Sequence, residues 1–292
     1  MKNHKIYLSL GSNIGKKEVN LIKAITALDK LSKTTVCRVS NFYITKPVGN
    51  ITQDDFLNCA VLIKSSLKPF QLLKEINRIE AELGRIRVEH WGPRTIDIDI
   101  IFYGTIKIKN TTLKIPHKEY KNRNFVMNPL YEIMNRSERA IFLRNMDKTG
   151  IQISPIKTVI GISSCLVGIN SKYTGSNNYT PLLKKLPNSI LFVPFCPEQL
   201  GGMSTPRERA EINGCKVITQ SGNDVTNQFK AGAAESKKIL EIAKCELVIL
   251  KSKSPSCGLS EIYDGTFSST LLKRSGITAE LLYKNGFEII EI

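Results

Sequence analysis

The sequence predicts an α/β protein in two parts, a ferredoxin-like α/β sandwich (an α+β N-terminal half) followed by a second, Rossmann-like α/β domain. Three observations predict it. The first half runs strand, helix, strand, strand, helix, strand, an order that folds into one antiparallel sheet with both helices on a single face and the other face open for a ligand. The second half alternates short apolar strands with amphipathic helices, as a doubly wound parallel sheet requires. A polar, turn-forming stretch near residues 145–156 separates the two. A chain of 292 residues is long enough for two cores, and domains at 1–150 and 157–292 follow.

In the first half, "KIYLSLGSN" (5–13) reads as a strand ending in a Gly-Ser-Asn turn, and "EVNLIKAITALDKLS" (18–32) places apolar residues at helical spacing. "TVCRVSNFYIT" alternates as one strand and "FLNCAVLIKSS" (56–66) is another. "KPFQLLKEINRIEAELG" has Pro near its start and Gly84 at its end, as a helix should. "TIDIDIIFYG" then gives the last strand, Ile96 to Tyr103. In the second half, strands are expected at 158–165, 189–194, 215–219, 246–251 and 287–292, with helices in "FKAGAAESKKILEIAKC" and "TAELLYKNG".

Composition bounds the function classes. With 41% apolar and 23% charged residues the chain reads as globular. No apolar run approaches the roughly 20 residues that span a bilayer, and no secretion signal is evident, so a cytoplasmic protein without membrane partners is expected. Seven cysteines in such a chain argue for free thiols or a metal site over disulfides. The net charge of +16 is uneven: residues 1–150 carry 26 Lys and Arg against 14 Asp and Glu, leaving +12, whereas the remainder carries 16 against 12, leaving +4. The basic half would attract a polyanion, whether nucleic acid, nucleotide or phosphorylated metabolite.

Within the last strand of that half, Asp97 and Asp99 lie two residues apart. They project from one face about 7 Å apart, and like charges that close call for a cation between them. Mg²⁺ takes one or two carboxylates together with substrate phosphates, and two such ions about 3.5–4 Å apart suit this pair. Arg85, Arg87 and Arg94 flank the strand with forked donors that match phosphate oxygens. Asp-x-Asp by itself would more often be the solvent face of an edge strand; the arginines, Trp91 and the basic balance reverse that preference.

"GPRTIDIDII", with "LSLGSNIGKKEVNL", "FYITKPVGN", "DFLNCAV", "RIEAELGR" and "IPHKEYKNRNFVMNPLYEI", resembles the 6-hydroxymethyl-7,8-dihydropterin pyrophosphokinase family over about residues 4–135. The resemblance implies transfer of diphosphate from ATP to the pterin alcohol in folate biosynthesis. It implies that Asp97 and Asp99 hold two Mg²⁺ ions, that Arg85, Arg94 and His117 contact the nucleotide phosphates, and that Arg123 is a mobile basic group near the site. Asn58 would hydrogen-bond the pterin and Phe125 stack on it, Trp91 would close over the ligands, and Thr45 and Pro47 would lie in a mobile loop. His90 stands where many relatives have Arg, Lys46 replaces a common Pro, and the loop before Trp91 is one residue shorter than in some. Taken singly, Phe125 could be core, His117 a surface residue and Asn58 a strand residue bonded to backbone.

In the second half, Cys165, Cys196 and Cys257 each follow a predicted strand, so they should gather at the carboxyl edge of the sheet, where open α/β folds bind ligands. Cys37, Cys59, Cys215 and Cys245 read as buried small hydrophobes. Three clustered thiols admit an iron–sulfur cluster with one open iron, a redox or nucleophilic cysteine, or zinc, although the paired CxxC spacing usual for zinc is absent. "SSCLVGINSKYTG", "PFCPEQLGGMSTPRERAEI", "GNDVTNQFKAGA", "KSKSPSCGLSEIYDGTF" and "GITAELL" resemble a bacterial domain family that includes thiouracil desulfidases. That implies Cys165, Cys196 and Cys257 as ligands of a 4Fe-4S cluster acting on a thiolated pyrimidine. Glu198 and either Ser254 or Ser256 would serve proton transfer and substrate positioning, and Arg207, Arg209 and Asp264 fall in matching motifs.

Two other readings stand beside this one: an RNA-binding or thio-base-processing protein, and a kinase carrying a non-catalytic cluster-bearing sensor. The first is disfavoured because a ferredoxin-like sheet that binds RNA offers aromatics on its central strands, where "TIDIDI" offers acids.

Overall fold

The computed structural model describes residues 3–47, 53–85, 92–143 and 155–292. It is a mixed α/β protein that divides into two compact units, one of Met1–Lys157 with Lys184–Ser189, the other of Thr158–Leu183 with Ile190–Ile292.

In the first unit, β1 (His4–Ser12), β2 (Thr34–Val39), β3 (Tyr43–Thr45), β4 (Phe56–Ser65) and β5 (Asp97–Tyr103) form one antiparallel sheet in the order β2-β4-β1-β5, with β3 also paired to β4. The central strand β1 sets the site by its register: Gly11 lies opposite Asn58 on one side and Asp97 on the other, and Ser9 lies opposite Asp99. Helices α1 (Lys17–Lys30) and α2 (Pro69–Glu82) bury the apolar stripes Leu21, Ile22, Ile25, Leu28 and Leu72, Ile76, Ile79, spaced as 3.6-residue periodicity demands.

Two expectations change here. "TVCRVSNFYIT" is not one strand. Between β2 and β3 the Ser40 hydroxyl accepts the Ala60 N–H at 2.8 Å, a ladder bond normally taken by a backbone carbonyl, and the strand breaks there. Nor is the second face of the sheet fully open. Helix α3 (Asn124–Ile133), followed by α4 (Arg136–Phe142) after a β6–β7 hairpin (Ile108–Lys109, Lys114–Ile115), was not anticipated. Val126, Met127, Leu130 and Ile133 of α3 share a core with Tyr7, Ala60, Leu62, Ile101 and Phe102. That explains the apolar run at the end of β5, which is covered on both sides. Among the described residues, the half-face bearing Ser9, Gly11, Asn58, Asp97 and Asp99 lines a cavity.

In the second unit, β8 (Thr158–Ser163), β9 (Ile190–Phe195), β12 (Leu247–Leu250) and β15 (Glu288–Glu291) form an all-parallel sheet in the order β15-β12-β8-β9. The strand expected at 215–219 does not join it. It is β11 (Lys216–Thr219), which pairs antiparallel with β10 (Ala210–Asn213) in a separate hairpin, because the two-residue connection is far too short for a parallel crossover. A second small ribbon joins β13 (Ile262–Tyr263) to β14 (Leu271–Leu272). Leu240 of α6 (Thr226–Ile242) and Ala279 and Leu282 of α7 (Ile277–Lys284) share one apolar cluster with Phe195, Val248, Leu250 and Ile289 of the sheet. Of the four cysteines expected to be buried, Cys59 and Cys245 are, Cys37 is half-buried, and Cys215 is exposed in the β10–β11 turn.

The one-turn helix α5 (Pro197–Leu200) follows Cys196 directly. It is seated backbone-to-backbone on α6: a Cβ at Gly232 would lie 1.8 Å from the Pro197 carbonyl oxygen, and one at Gly201 2.0 Å from that of Gln228. Backbone cannot retreat as a flexible side chain can, so both positions require glycine. Gly232→Ala should therefore cost at least about 1–3 kcal/mol in urea unfolding of this unit; an unchanged midpoint would show that α5 has room to move.

Candidate functional sites

The first site lies on the open half of the antiparallel sheet, around a cavity of about 110 Å³ lined by Ser9, Gly11, Thr45, Lys46, Gln53, Phe56, Asn58, Arg94, Asp97, Asp99, Arg123 and Phe125. Gly11 forms its floor. A Cβ there would stand 2.7 Å from Asn58 Oδ1, so the missing side chain is what lets the buried Asn58 amide sit over β1. Asn58 Nδ2 donates to Thr45 Oγ1 at 2.7 Å, which fixes the amide's orientation.

The counter-charge to the carboxylate pair is supplied by protein. Asp97 Oδ1 is 2.7 Å from Arg85 Nη1, and Asp97 Oδ2 accepts from Arg94 Nη1 at 2.7 Å. Asp99 is held more loosely, with His117 Nε2 and Arg123 Nη1 each 4.0 Å from its Oδ2. Its carboxyl is accordingly pushed up to about 7, first by burial deep in the cleft and then by Asp97, with Arg123 and Arg85 opposing. A third of its side-chain surface still faces open space, so the group is crowded by protein yet reachable by a ligand. His117 is pushed below its ordinary range by burial and then by Arg123, which favours the neutral ring.

One member of this site was not anticipated. Glu80, buried on α2, accepts the Ile98 N–H at 2.8 Å and pairs with Arg85 Nη1, so it pins both the strand between the aspartates and the arginine that faces Asp97. Burial raises its carboxyl above the usual range, with Arg85 and the Ile98 N–H opposing. The signal was present: Leu72, Ile76, Ile79 and Glu80 fall on one helical stripe, and a glutamate there demands a partner. Pro47 follows β3 without lining the cavity, and Trp91, His90 and Arg87 lie outside the described residues.

The second site is a cavity of about 310 Å³ at the carboxyl edge of the parallel sheet. Cys165 follows β8, Cys196 follows β9 and Cys257 lies in the loop after β12; all three line the cavity, with Glu198, Arg207, Arg209, Lys251 and Ser254. Arg207 Nη2 lies 3.9 Å from Cys196 Sγ, and the polar side chains of Asn178 and Ser163 stand near Cys165 and Cys257. Burial pushes the Cys165 thiol up and the Cys257 thiol far up, and those two side chains oppose the shifts.

The two candidate serines separate. Ser254 lines the cavity and its hydroxyl accepts the N–H groups of Ser256 and Cys257, both at 3.1 Å, shaping the turn that presents Cys257. Ser256 is buried against Thr278 Oγ1 at 2.8 Å and does not line the cavity, so it serves the packing of α7. Arg209 pairs with the buried Glu211 and lies over the Tyr263 ring, whereas Asp264 caps its own loop through Thr266. Among the described residues, no three His, Cys, Asp or Glu side chains are arranged to hold a metal ion by protein ligands alone, and no helix is long and apolar enough to cross a membrane.

Fold and clefts define an α/β unit whose cleft gathers two carboxylates with arginines, joined to an α/β unit whose cavity is lined by three thiols. Residues 7–135 match the family described as 7,8-dihydro-6-hydroxymethylpterin-pyrophosphokinase, and residues 160–292 the family described as 2-thiouracil desulfurase. Over 151 residues the chain is 42% identical to the 2-amino-4-hydroxy-6-hydroxymethyldihydropteridine pyrophosphokinase of Bacillus subtilis, a match covering 52% of this chain and 90% of that one. Over 232 residues it is 34% identical to the bifunctional protein FolKE of Lactococcus lactis (strain IL1403), covering 80% of this chain; the match spans 63% of that relative's length, less than two thirds of it. A solved 4Fe-4S-dependent thiouracil desulfidase, TudS, is 33% identical, covering 46% of this chain and 91% of that one with a TM-score of 0.42. The chain belongs, through its first half, to the dihydropterin pyrophosphokinase family, and its second half matches the 2-thiouracil desulfurase family model.

The raised Asp99 makes a stability prediction. Between the ordinary aspartate range and about pH 7 the folded state keeps a proton that the unfolded chain has lost, so stability present at low pH falls as pH rises through about 7. In metal-free protein, Asp99→Asn should thus raise the thermal midpoint at pH 8 more than at pH 5. An offset between variant and wild type that is flat with pH would rule out the raised carboxyl.

Proposed function

We propose that the first unit transfers diphosphate from ATP to 6-hydroxymethyl-7,8-dihydropterin, and that the second removes sulfur from a thiolated pyrimidine or related thio-compound. The observation that carries the first reading is the juxtaposition, in one cleft, of two carboxylates, three arginines and His117 with the pocket floored by Gly11 and walled by Asn58 and Phe125. The pyrophosphokinase and FolKE relatives support it.

Asp97 and Asp99 are the groups that would hold two Mg²⁺ ions, and they fit: both are acidic oxygen donors on one strand, and among the described residues the basic groups nearest Asp99 stand at 4.0 Å. Bound Mg²⁺ would supply charge neutralisation at the transferring phosphates. The chain's own work is placement. Asn58, oriented by Thr45, is suited to the pterin's amide edge, Phe125 to its ring, and Arg85, Arg94, Arg123 and His117 to phosphate oxygens. The pterin hydroxyl oxygen bonds to the β-phosphorus of ATP as the bond from that phosphorus to the α-phosphate oxygen breaks. AMP leaves, and the hydroxyl proton passes to solvent or a phosphate oxygen. Such a transfer depends on alignment and charge, and needs no strong general base.

For the second unit, the carrying observation is three thiols from three parallel strands on one cavity. They fit a 4Fe-4S cluster, which prefers thiolate ligands and, held by three, keeps one iron for substrate sulfur. Glu198 and Ser254 line the same cavity and are suited to proton movement and substrate positioning. The printed name of the TudS relative supports the cluster. At the level of topology, the sheet orders suit the ferredoxin-like and Rossmann-like arrangements, and small-molecule substrates suit both cavities better than a nucleic acid does.

Asp97→Ala should abolish Mg²⁺-dependent AMP formation from ATP and the pterin alcohol, a loss of at least about 10³-fold if the carboxylate anchors a metal; full retained activity would refute the assignment. Cys257→Ala should remove the brown absorbance and bound iron of anaerobically purified protein while leaving AMP formation intact, and persistence of full iron content would refute the ligand set.

A further inference from the structure

Arg207 lies at the wall of the second cavity with 5% of its side chain exposed, and its guanidinium is saturated. Nε donates to Glu198 Oε2 at 2.6 Å; Nη1 donates to Ser204 O at 3.2 Å and Thr205 Oγ1 at 2.9 Å; Nη2 donates to Ser171 O at 3.0 Å and approaches Cys196 Sγ at 3.9 Å. An arginine has five N–H bonds, and each has a protein acceptor here. No donor is left over for a substrate anion, although the residue faces the cavity. The same plane that reaches the Cys196 sulfur reaches the Glu198 carboxylate, two residues further on at the start of α5.

We propose that Arg207 is a positioning residue that locks Cys196 Sγ and Glu198 into one rigid geometry and tunes the metal centre through its N–H···S contact. This rests on the reading of Cys196 as an iron–sulfur ligand. A planar fork anchored at Ser171, Ser204 and Thr205 fixes the distance from sulfur to carboxylate, which a lysine ammonium cannot reproduce because its donors radiate from one atom. A donor to a ligating sulfur withdraws charge from it, stabilising the reduced centre and raising its reduction potential. Asn178 and Ser163 stand near the other two sulfurs, but among the described residues the hydrogen bond to Glu198 comes from Arg207. Arg207 alone of the three joins a sulfur to the carboxylate.

The test uses the full chain, purified anaerobically and reconstituted with iron and sulfide, as wild type, Arg207→Lys and Thr205→Val. The valine variant removes one anchor of the guanidinium while leaving every cavity charge in place. Iron content, the cluster's midpoint potential from a dye-coupled titration, and kcat and KM for 2-thiouracil are measured. The proposal expects wild-type iron content, a lowered potential and a kcat reduced about 10–100-fold with KM changed less than about threefold in Arg207→Lys, and smaller shifts of the same sign in Thr205→Val. Unchanged potential and kcat in both variants overturn it, as does a loss confined to KM, which would make Arg207 a substrate-binding group. Should Arg207→Lys fail to fold, the potential of Thr205→Val decides alone. A wild-type chain that takes up no iron defeats the underlying reading and the proposal with it, an outcome visible before any variant is made.

Discussion

The first unit is organised around one electrostatic constraint: two carboxylates on the same face of β5, half in and half out of a protein interior. The chain meets it asymmetrically. Asp97 has an arginine on each oxygen, and one of these, Arg85, is itself shared with the buried Glu80, which in turn clamps the backbone of Ile98. Asp99, among the described residues, faces Arg123 and His117 at 4.0 Å, and its carboxyl is pushed up to about 7 by burial and by Asp97. The helix α2, the loop carrying Arg85 and the strand β5 are thereby tied into one charged chain whose last link is left incomplete. Ligand charge is what would complete it, with the arginines exchanging a carboxylate for phosphate oxygens at little net cost in ion pairing.

The second unit solves a different problem with topology. Parallel strands put all their carboxyl ends on one edge, so residues at 165, 196 and 257, far apart in sequence, arrive at a common cavity without any close sequence pairing. Each thiol then has a polar side chain from a different stretch of chain near it. Such dispersed provision explains why no short metal motif is visible, even though the three sulfurs share a wall.

Much of this was legible in the sequence, and the misses have physical causes. "KIYLSL" and "FLNCAVLI" were readable as strands because they are short apolar runs, and they are buried almost continuously because both faces of the sheet are covered there, one of them by α3 over Tyr7, Ala60 and Leu62. Helix α3 was missed because Pro129 interrupts "NFVMNPLYEI", although Pro129 packs within the helix among buried neighbours. "KVIT" has the composition of a core strand, yet its two-residue link to β10 made it half of a hairpin. Asn58, Phe125 and the aspartates could be named from motif, but the role of Glu80 depends on where Ile98 and Arg85 arrive in three dimensions, which no local pattern encodes.

The seating of α5 on α6 has one more consequence. With Gly201 and Gly232 in backbone contact, the turn that carries Cys196 and Glu198 cannot loosen without the helix beneath it yielding too. A four-residue helix beside a cavity would ordinarily fray on its own. Here its amide protons should exchange with solvent at the slow rate of α6, as part of the same cooperative opening unit, so the rim of the cavity inherits the kinetic persistence of the core.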